Sequence, residues 1–197
     1  MSNRKEEIVR AAVELSAENG VDAVSMQMIA DKVGITKASL YNHFSSKDEI
    51  IEAMYEVIRA SSKERTGVGE IDYDLFQEGM SMEDILMNAI RSYEAMVSDP
   101  EMNLFYRIIM SRRTMDPKAA GIMAKETKTM VNATKTLFYA LQVKKIASFK
   151  DVDVAAFSFA MGVHSIIDYG FDLKSAGEKT DAKMMQTYIK EFCRIYG

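Results

Sequence analysis

The pattern of apolar and polar positions predicts a chain built from helices throughout. Apolar residues recur at spacings of three and four along most of the chain, which is the period of an amphipathic helix rather than the alternation of a strand. The clearest pattern lies between Ser25 and Asp48, where Gly34 separates two short apolar segments. Only two prolines and ten glycines interrupt the 197 residues. We therefore predict an all-α fold class.

This segment predicts two short helices joined by a tight turn, followed by the start of another helix. Ser25 is a good N-cap for the first helix, and Gly34 suits a left-handed residue at its end. Thr36 caps the second helix, whose inner side carries Leu40 and Phe44, four residues apart. The arrangement is that of a helix-turn-helix that presents a recognition helix to the major groove of DNA. The outward positions of this second helix are Lys37, Ala38, Tyr41 and Asn42.

The same spacing predicts helices outside this motif. One precedes it, from about Arg4 to Glu18, and one follows it, from Ser46 to about Arg65. An acidic segment with several glycines, residues 66–80, predicts a long loop with a turn of helix around Tyr73–Phe76. We predict a three-helix, helix-turn-helix domain over 1–47 and a helical ligand-binding and dimerisation domain over 48–197. The remaining predicted helices cover 81–97, 100–112, 117–143, 151–173 and 180–196.

Composition and cysteine content narrow the class of protein. Hydrophobic residues make up 48% of the chain and charged residues 27%, which is typical of a soluble globular protein. A single cysteine, Cys193, allows no intrachain disulfide and fits a reducing cytoplasm. We find neither the apolar run of a signal peptide nor a segment of about twenty uncharged apolar residues. We therefore expect a cytoplasmic protein without a membrane partner.

The overall charge argues against a nucleic-acid-binding domain, but its distribution does not. The chain carries a net charge of −4, and residues 1–50 contain six basic and eight acidic residues. From Lys32 to Lys47, however, there are three lysines and His43 but no carboxylate. Exposed charges more than about 8 Å apart are largely screened at physiological salt, so the local arrangement outweighs the sum over the domain. The segment therefore predicts salt-sensitive DNA binding.

The N-terminal quarter of the chain resembles the DNA-binding domain of the tetracycline-repressor (TetR) family of bacterial transcriptional regulators. The resemblance covers roughly residues 4–54 and is clearest in the run IADKVGITKASLYNHFSSKDEI. This run preserves the spacing of the turn glycine, the cap threonine, the tyrosine, the phenylalanine and the lysine. The resemblance implies a homodimer, an all-helical effector domain, and repression that a small molecule relieves.

The resemblance also implies which side chains lie on or near DNA. Ser25 and Lys47 would meet phosphates at helix N-termini, where free backbone N–H groups favour anions. Gln27 stands where the family often has a basic residue, and a glutamine can bond a phosphate or an adenine edge without adding charge. Asn42 has the better claim to base readout, because asparagine can pair bidentately with adenine. The predicted DNA-binding residues are Ser25, Gln27, Thr36, Lys37, Ala38, Ser39, Tyr41, Asn42, His43 and Lys47.

Three of these residues have an alternative, purely structural interpretation. Tyr41 could belong to the core, although Leu40 and Phe44 already fill the inward face of the helix. His43 could be a solvated surface residue. Thr36 caps its helix whether or not DNA is bound, so the capping role does not depend on the phosphate contact.

The methionine content suggests an adaptable apolar binding surface. The chain has 16 methionines, and methionine both fills irregular gaps and lines variable binding surfaces. We predict a largely apolar effector pocket within residues 81–170, with a plain methionine-rich core as the alternative. His164 and Asp168 share a helical face, either as a ligand-orienting pair or as a satisfied structural pair. The predicted ligand-binding residues are Met96, Phe105, Met123, Met130, Phe138, Phe159 and His164.

The last two predicted helices suggest a dimer interface. The helix over 151–173 is apolar on more than one side, with Val154, Phe157 and Met161 lying off its main stripe. A helix that is apolar nearly all round must be buried on both sides. The helix over 180–196 is plainly amphipathic. Packing of both helices on their twofold mates, as a four-helix bundle, accounts for the two patterns.

Taken together, the patterns predict a ligand-responsive DNA-binding regulator. The simplest form is a homodimeric repressor that leaves a palindromic operator when a small, largely apolar molecule binds. A dimeric activator of the same fold is one alternative, and a helical enzyme is a less favoured one. The chain has no nucleophile elbow, glycine-rich phosphate loop or histidine-metal spacing, so we expect no catalytic residue, no metal site and no cofactor.

Overall fold

The computed structural model describes residues 3–66 and 79–196 of the chain. The described residues form nine α-helices and no β-strand, which confirms the predicted all-α fold class. The helical turn predicted around Tyr73–Phe76 lies outside the described residues. In chain order the helices are α1 (Asn3–Asn19), α2 (Met26–Val33), α3 (Lys37–Tyr41), α4 (Lys47–Thr66), α5 (Met82–Val97), α6 (Pro100–Arg112), α7 (Pro117–Val143), α8 (Val152–Ala176) and α9 (Met184–Tyr196).

Side-chain caps set where several of these helices begin. The carboxylate of Asp99 accepts the backbone N–H of Met102 at 3.2 Å, and Pro100 occupies the first turn of α6. Asp151 accepts the N–H of Val154 in the same way at 3.0 Å, which starts α8. Such caps satisfy N–H groups that have no partner inside the helix. Because the signals are local, the predicted and observed starts of α6 and α8 agree within one residue.

Two helix ends differ from the predicted ones. α8 extends to Ala176, past the predicted end at 173, and stops where Gly177 adopts a left-handed conformation with φ of 74°. α9 begins at Met184 rather than at 180. The residues before it form a turn instead, in which the Asp181 carboxylate accepts the N–H of Lys183 at 2.8 Å.

The chain divides into two compact units. Unit 1 comprises Met1–Gly69 and Tyr93–Lys125, and unit 2 comprises Glu70–Ser92 and Glu126–Gly197. The helix-turn-helix therefore shares its compact unit with α6 and with α4, which begins at Lys47 and continues to Thr66. The division of function at residues 47 and 48 stays a prediction.

The core of unit 1 forms where α1, α2, α3, α4 and α6 meet. Tyr55 of α4 packs on Phe105 of α6, with ring centroids 5.8 Å apart. Burying each large apolar side chain of this kind stabilises the fold by about 1.5–3 kcal/mol, so this core holds the helix-turn-helix in place. Its fully buried members are Ile8, Val9, Ile29, Ala30, Leu40, Ile50, Met54, Ile58, Met102 and Ile109.

An acidic stripe on α4 pairs with basic residues of α6 and α7 within unit 1. All three acidic residues lie on one side of α4, since they are spaced four residues apart. Exposed ion pairs each contribute about 0.2–1 kcal/mol, so the buried residues of α4 do more to hold this helix than the ion pairs do. The pairs are Asp48–Arg112 at 3.6 Å, Glu52–Lys118 at 3.2 Å, and Glu56–Lys125.

Aromatic rings dominate the core of unit 2. Phe138 of α7 stacks on Phe149, with ring centroids 4.7 Å apart. Phe192 of α9 packs on Phe159 of α8, with centroids 4.9 Å apart. Tyr188 of α9 also stacks on Phe159, at 5.8 Å. These rings join α7, α8 and α9, and the amphipathic pattern predicted for α9 corresponds to this packing.

Of the described helices, α8 alone is long and apolar enough to cross a membrane by length and composition. A single helix of this kind is weak evidence for a membrane span, because the core helix of a soluble protein passes the same test. One face of α8 lies in the core of unit 2, with Ala156, Phe159 and Val163 buried.

Candidate DNA-binding surface

Two hydroxyl N-caps and one left-handed glycine set the geometry of the helix-turn-helix. Oγ of Ser25 accepts the N–H of Met28 at 3.2 Å and so caps α2. Gly34 ends α2 in the left-handed region, with φ of 74° and ψ of 34°, which glycine adopts without steric cost. Oγ1 of Thr36 accepts the N–H of Ser39 at 3.1 Å and caps α3. The chain thus turns sharply between two helices whose starts are both fixed by hydroxyl groups.

The two sides of α3 differ in burial as the sequence predicts. Leu40 is fully buried and Phe44 is 3% exposed, so both belong to the core. On the opposite side Tyr41 is 47% exposed, which excludes the core interpretation of this tyrosine. His43 is half-buried rather than fully solvated. The exposed side of α3 and its C-cap comprises Lys37, Ala38, Tyr41 and Asn42.

The hydroxyl groups of the two caps can still donate to a phosphate. A hydroxyl has one O–H donor and two acceptor lone pairs. The N–H bonds to Ser25 and Thr36 use acceptor lone pairs only, so each O–H remains able to donate. Both residues are exposed, whereas Ser39 is half-buried. The structure thus places Ser25 and Thr36 where a capping role and a phosphate contact are compatible.

Fewer of the lysines between Lys32 and Lys47 are free of partners than the sequence predicts. Nζ of Lys32 lies 3.0 Å from Oε2 of Glu14 on α1, and this hydrogen bond raises the pKa of the lysine. Nζ of Lys47 donates to the backbone carbonyl of Asp22 at 3.3 Å, and partial burial lowers its pKa. For Lys37 no ion pair is found within residues 3–66 and 79–196. Lys37 is therefore an exposed cation of this surface that has no ion pair among the described residues.

The basic residues of α1 also have partners. Arg4 pairs with Glu7 at 2.6 Å, and Arg10 pairs with Glu6 at 3.0 Å. The ammonium group of Lys5 lies 5.1 Å from the ring centroid of Phe44. The two arginines are paired with glutamates of α1, and Lys5 lies against the Phe44 ring. The basic residues of α1 therefore do not extend the basic surface of α3.

Gln27 is exposed near the start of α2, and its side chain has a partner there. Nε2 of Gln27 donates a hydrogen bond of 2.7 Å to Oδ1 of Asp31, which is also exposed. Sequence reasoning missed this partner, although a spacing of four within a helix is a signal for such a pair. It also missed the Glu14–Lys32 pair, for which no local signal exists because the two residues lie on different helices.

The predicted ligand-binding residues do not form one group. Met96, Phe105 and Met123 are buried in unit 1, where Phe105 packs on Tyr55. The remaining four belong to unit 2, where the rings of Phe138 and Phe159 are in contact, with centroids 5.5 Å apart. The predicted pocket stays a prediction. The unit 2 members are Met130, Phe138, Phe159 and His164.

His164 and Asp168 lie together on α8, as their spacing predicts. Nε2 of His164 is 3.5 Å from Oδ2 of Asp168. The histidine is buried and the aspartate is half-buried. Within the described residues, no group of three or more histidine, cysteine, aspartate or glutamate side chains is placed to hold a metal ion.

Unit 1 contains a shallow cleft between α4, α6 and the start of α7. Its enclosed space is about 10 Å³, which is room for about one water molecule. Ile51, Ile109 and Ile122 form part of its floor, and the ion pairs of α4 border it. None of the predicted ligand-binding residues lines this cleft.

Comparisons with known proteins agree with this geometry. Residues 8–54 match the sequence profile of bacterial regulatory proteins, tetR family. The chain is 38% identical over 58 residues to the HTH-type transcriptional repressor KstR2 of Mycolicibacterium smegmatis. That match covers 29% of this chain and 27% of KstR2, so it spans about a quarter of the relative's length. A match to the transcriptional regulator UidR of Escherichia coli K12 is longer, at 24% identity over 176 residues, 81% of this chain and 89% of UidR.

The whole fold also has a counterpart among solved structures. A protein from Mesorhizobium loti MAFF303099, described as a TetR-family transcriptional regulator, superposes with a TM-score of 0.77 at 20% identity. The superposition covers 100% of this chain and 98% of that one. The matched profile, KstR2, UidR and the Mesorhizobium loti protein are all described as regulatory proteins, transcriptional regulators or repressors. The match over residues 8–54 relates the N-terminal part of the chain to bacterial regulatory proteins of the tetR family, and the solved structure from Mesorhizobium loti has the same fold.

Proposed function

We propose that this protein is a transcriptional regulator that binds an operator on double-stranded DNA through α3. The observation that supports this function best is the exposed side of α3, which stands opposite the buried Leu40. Lys37 supplies a charge for phosphate, and Asn42 supplies the donor and acceptor that adenine readout requires. Tyr41 adds a hydroxyl group that can donate to phosphate.

The regulator acts as a homodimer, with α8 and α9 as its interface. In the single chain, Val154 and Phe157 of α8 are 61% and 53% exposed, and Ile195 of α9 is 70% exposed. Large apolar side chains exposed on the two helices support burial against a second copy. Two copies also supply two recognition helices, which a palindromic operator with half-sites about 34–36 Å apart requires. We propose that the dimer works in the cytoplasm, without a membrane partner.

Release from the operator follows from the binding of a small, largely apolar molecule to residues 48–197. The effector favours a dimer conformation whose recognition helices no longer match one turn of DNA, which is a shift between two populated states. α4 is the proposed lever, because it follows the recognition helix directly in the chain and buries Ile50, Met54 and Ile58 beside it in unit 1. An effector that binds but leaves operator affinity unchanged contradicts this coupling.

The experiment that tests DNA binding is a fluorescence anisotropy titration at stated salt. The probes are duplexes from the DNA that flanks the coding gene, and an unrelated duplex of equal length is the control. We expect saturable binding to one palindromic site, with an affinity at least about a thousandfold above that for the unrelated duplex. Equal affinity for every duplex contradicts the proposed function.

An activator of the same fold is the alternative, because the DNA contacts are the same for both. In vitro transcription from a template that contains the selected site distinguishes the two. Addition of the protein lowers transcript yield for a repressor and raises it for an activator. The relative KstR2 is described as a repressor, which favours the first outcome.

A further inference from the structure

The side-chain amide of Gln27 is oriented by a carboxylate one helical turn away. Its Nε2 atom donates a hydrogen bond of 2.7 Å to Oδ1 of Asp31, on the exposed side of α2. An ionised carboxylate only accepts hydrogen bonds, so the amide nitrogen must face Asp31 and the amide oxygen must point elsewhere. The pair therefore favours one orientation of the amide before DNA is bound, by about twofold, or about 0.2–0.5 kcal/mol.

This bond leaves Gln27 with one N–H donor and its oxygen acceptor. A side-chain amide has two N–H donors and one oxygen acceptor. Asp31 takes one N–H, so the other N–H and Oε1 stay available. Glutamine uses such a donor and acceptor together to bind N7 and the N6 amino group of adenine in the major groove. When Asp31 takes the N–H trans to Oε1, the N–H beside Oε1 and the oxygen itself both stay available for adenine.

The same carboxylate disfavours a phosphate as the partner of Gln27. A phosphate oxygen on the second N–H would lie about 5 Å from the Asp31 carboxylate, given two hydrogen bonds of about 2.9 Å to one nitrogen. Two negative charges at this distance, well inside the screening length of about 8 Å, repel each other. An adenine edge is neutral and meets no such repulsion.

We propose that Gln27 reads an adenine base of the operator and that Asp31 is the positioning residue that orients it. This inference rests on the proposed function and adds a specificity contact from α2 to those of α3. Asp31 has a second effect on binding, because its charge weakens attraction to the backbone of any duplex. This repulsion lowers the affinity for operator and for unrelated DNA alike, so the difference between the two comes from the adenine contact of Gln27.

The test is a selection of bound duplexes from a randomised library, followed by anisotropy titrations of the enriched sequence. We expect the wild-type protein to enrich adenine at one position of each half-site that depends on Gln27. Gln27→Ala should lower discrimination at that position about tenfold and leave the other positions unchanged. Asp31→Ala should lower discrimination at the same position, while its affinity for an unrelated duplex rises.

Two further variants distinguish the orienting effect of Asp31 on Gln27 from the effect of its charge and from a general loss of helix stability. Asp31→Asn keeps an oxygen acceptor but removes the charge, so it should retain more of the adenine preference than Asp31→Ala. Arg10→Ala breaks another pair with a spacing of four, Glu6–Arg10 on α1, and should leave every base preference unchanged. Circular dichroism melting of each variant is the control that checks whether its helices remain folded.

The outcomes distinguish this inference from the proposed function. A wild-type protein that enriches no sequence overturns the proposed function itself. Identical base preferences for the wild type and Gln27→Ala overturn the inference alone. A loss of preference in Gln27→Ala that Asp31→Ala does not reproduce overturns the positioning role of Asp31.

Discussion

The hydroxyl group of Tyr188 on α9 occupies the space that a side chain at Gly162 of α8 would need. A Cβ atom built on Gly162 would lie 2.3 Å from Oη of Tyr188 and 2.5 Å from Cζ. The same hydroxyl donates to the backbone carbonyl of Ser158 at 3.2 Å. Because the tyrosine ring also stacks on Phe159 and contacts Phe192, it has little room to move. The absence of a side chain at position 162 therefore determines how closely α9 approaches α8.

Gly162→Ala should destabilise the protein by about 1–3 kcal/mol, the usual effect of forcing an extra carbon atom into a packed contact. Thermal melting followed by circular dichroism measures this change. Gly170→Ala on the same helix is the matched control, because a Cβ there meets no atom within 4 Å. Since alanine is the better helix former, this control should stabilise by about 0.5–1 kcal/mol. Equal melting temperatures for the two variants contradict this close packing of Tyr188 on Gly162.

Gly34→Ala should destabilise unit 1 even though the position has free space. No atom lies within 4 Å of a Cβ at Gly34, but its φ of 74° is unfavourable for residues with a side chain. We expect a loss of about 1–2 kcal/mol in the free energy of unfolding by urea titration. Gly34→Asn is the control, because asparagine tolerates this conformation better and should lose less. A stabilised Gly34→Ala protein would show that α2 does not end in a left-handed residue.

Local signals account for the part of the fold that the sequence predicts well. Asp99 and Asp151 cap α6 and α8 through bonds to residues three positions later, so no distant contact is needed to place these helix starts. The turn at Gly34 and the cap at Thr36 are local in the same sense. The inward side of α3 follows from spacing alone, since Leu40 and Phe44 are four residues apart.

Contacts between distant residues account for what the sequence does not predict. The charge of Lys32 is engaged by Glu14 only because α1 and α2 pack together, and no spacing within one helix reveals that partner. The predicted ligand-binding residues separate for the same reason. Phe105 and Phe138 have similar apolar patterns, but packing assigns them to different compact units. Periodicity shows that a side chain is inward-facing, not which core it enters.

The start of α4 should become less stable in acid because of Glu49. Its carboxylate accepts the N–H of Ser45 at 2.6 Å and the hydroxyl of Ser45 at 2.8 Å, and these bonds lower its pKa. A lowered folded-state pKa means that the stabilisation is present above the unfolded-state pKa. It is lost as the pH falls through the folded-state pKa.

Glu49→Gln removes this pH-dependent stabilisation. The wild type should melt at a higher temperature than the variant near pH 7, and the difference should shrink below about pH 4.3, the ordinary pKa of a glutamate. Asp84→Asn provides a parallel case, because Ser81 donates to Asp84 through its N–H and its hydroxyl and lowers that pKa too. A melting difference that is constant from neutral to acid pH contradicts the role of Glu49.

Cys193 should react slowly with alkylating reagents in the folded protein. Burial on α9 raises the pKa of its thiol to about 11, from 9.0 in an open environment. The thiolate is the reactive form, so near pH 8 the folded protein should react about a hundredfold more slowly than the unfolded chain. Intact-mass spectrometry after iodoacetamide treatment, with and without denaturant, measures the two rates. Similar rates would show that the thiol is open to solvent.

The two exposed lysines of the helix-turn-helix should contribute differently to DNA binding. Lys37→Ala should reduce the slope of log affinity against log salt by about one, because a lysine that neutralises a phosphate releases about one counterion. Lys32→Ala should leave the slope unchanged, since its ammonium group already pairs with Glu14 at 3.0 Å. Anisotropy titrations of the selected operator over a series of salt concentrations provide both slopes. The two variants lose the same formal charge, so a simple effect of net charge predicts equal slopes, and only an effect of position predicts that they differ.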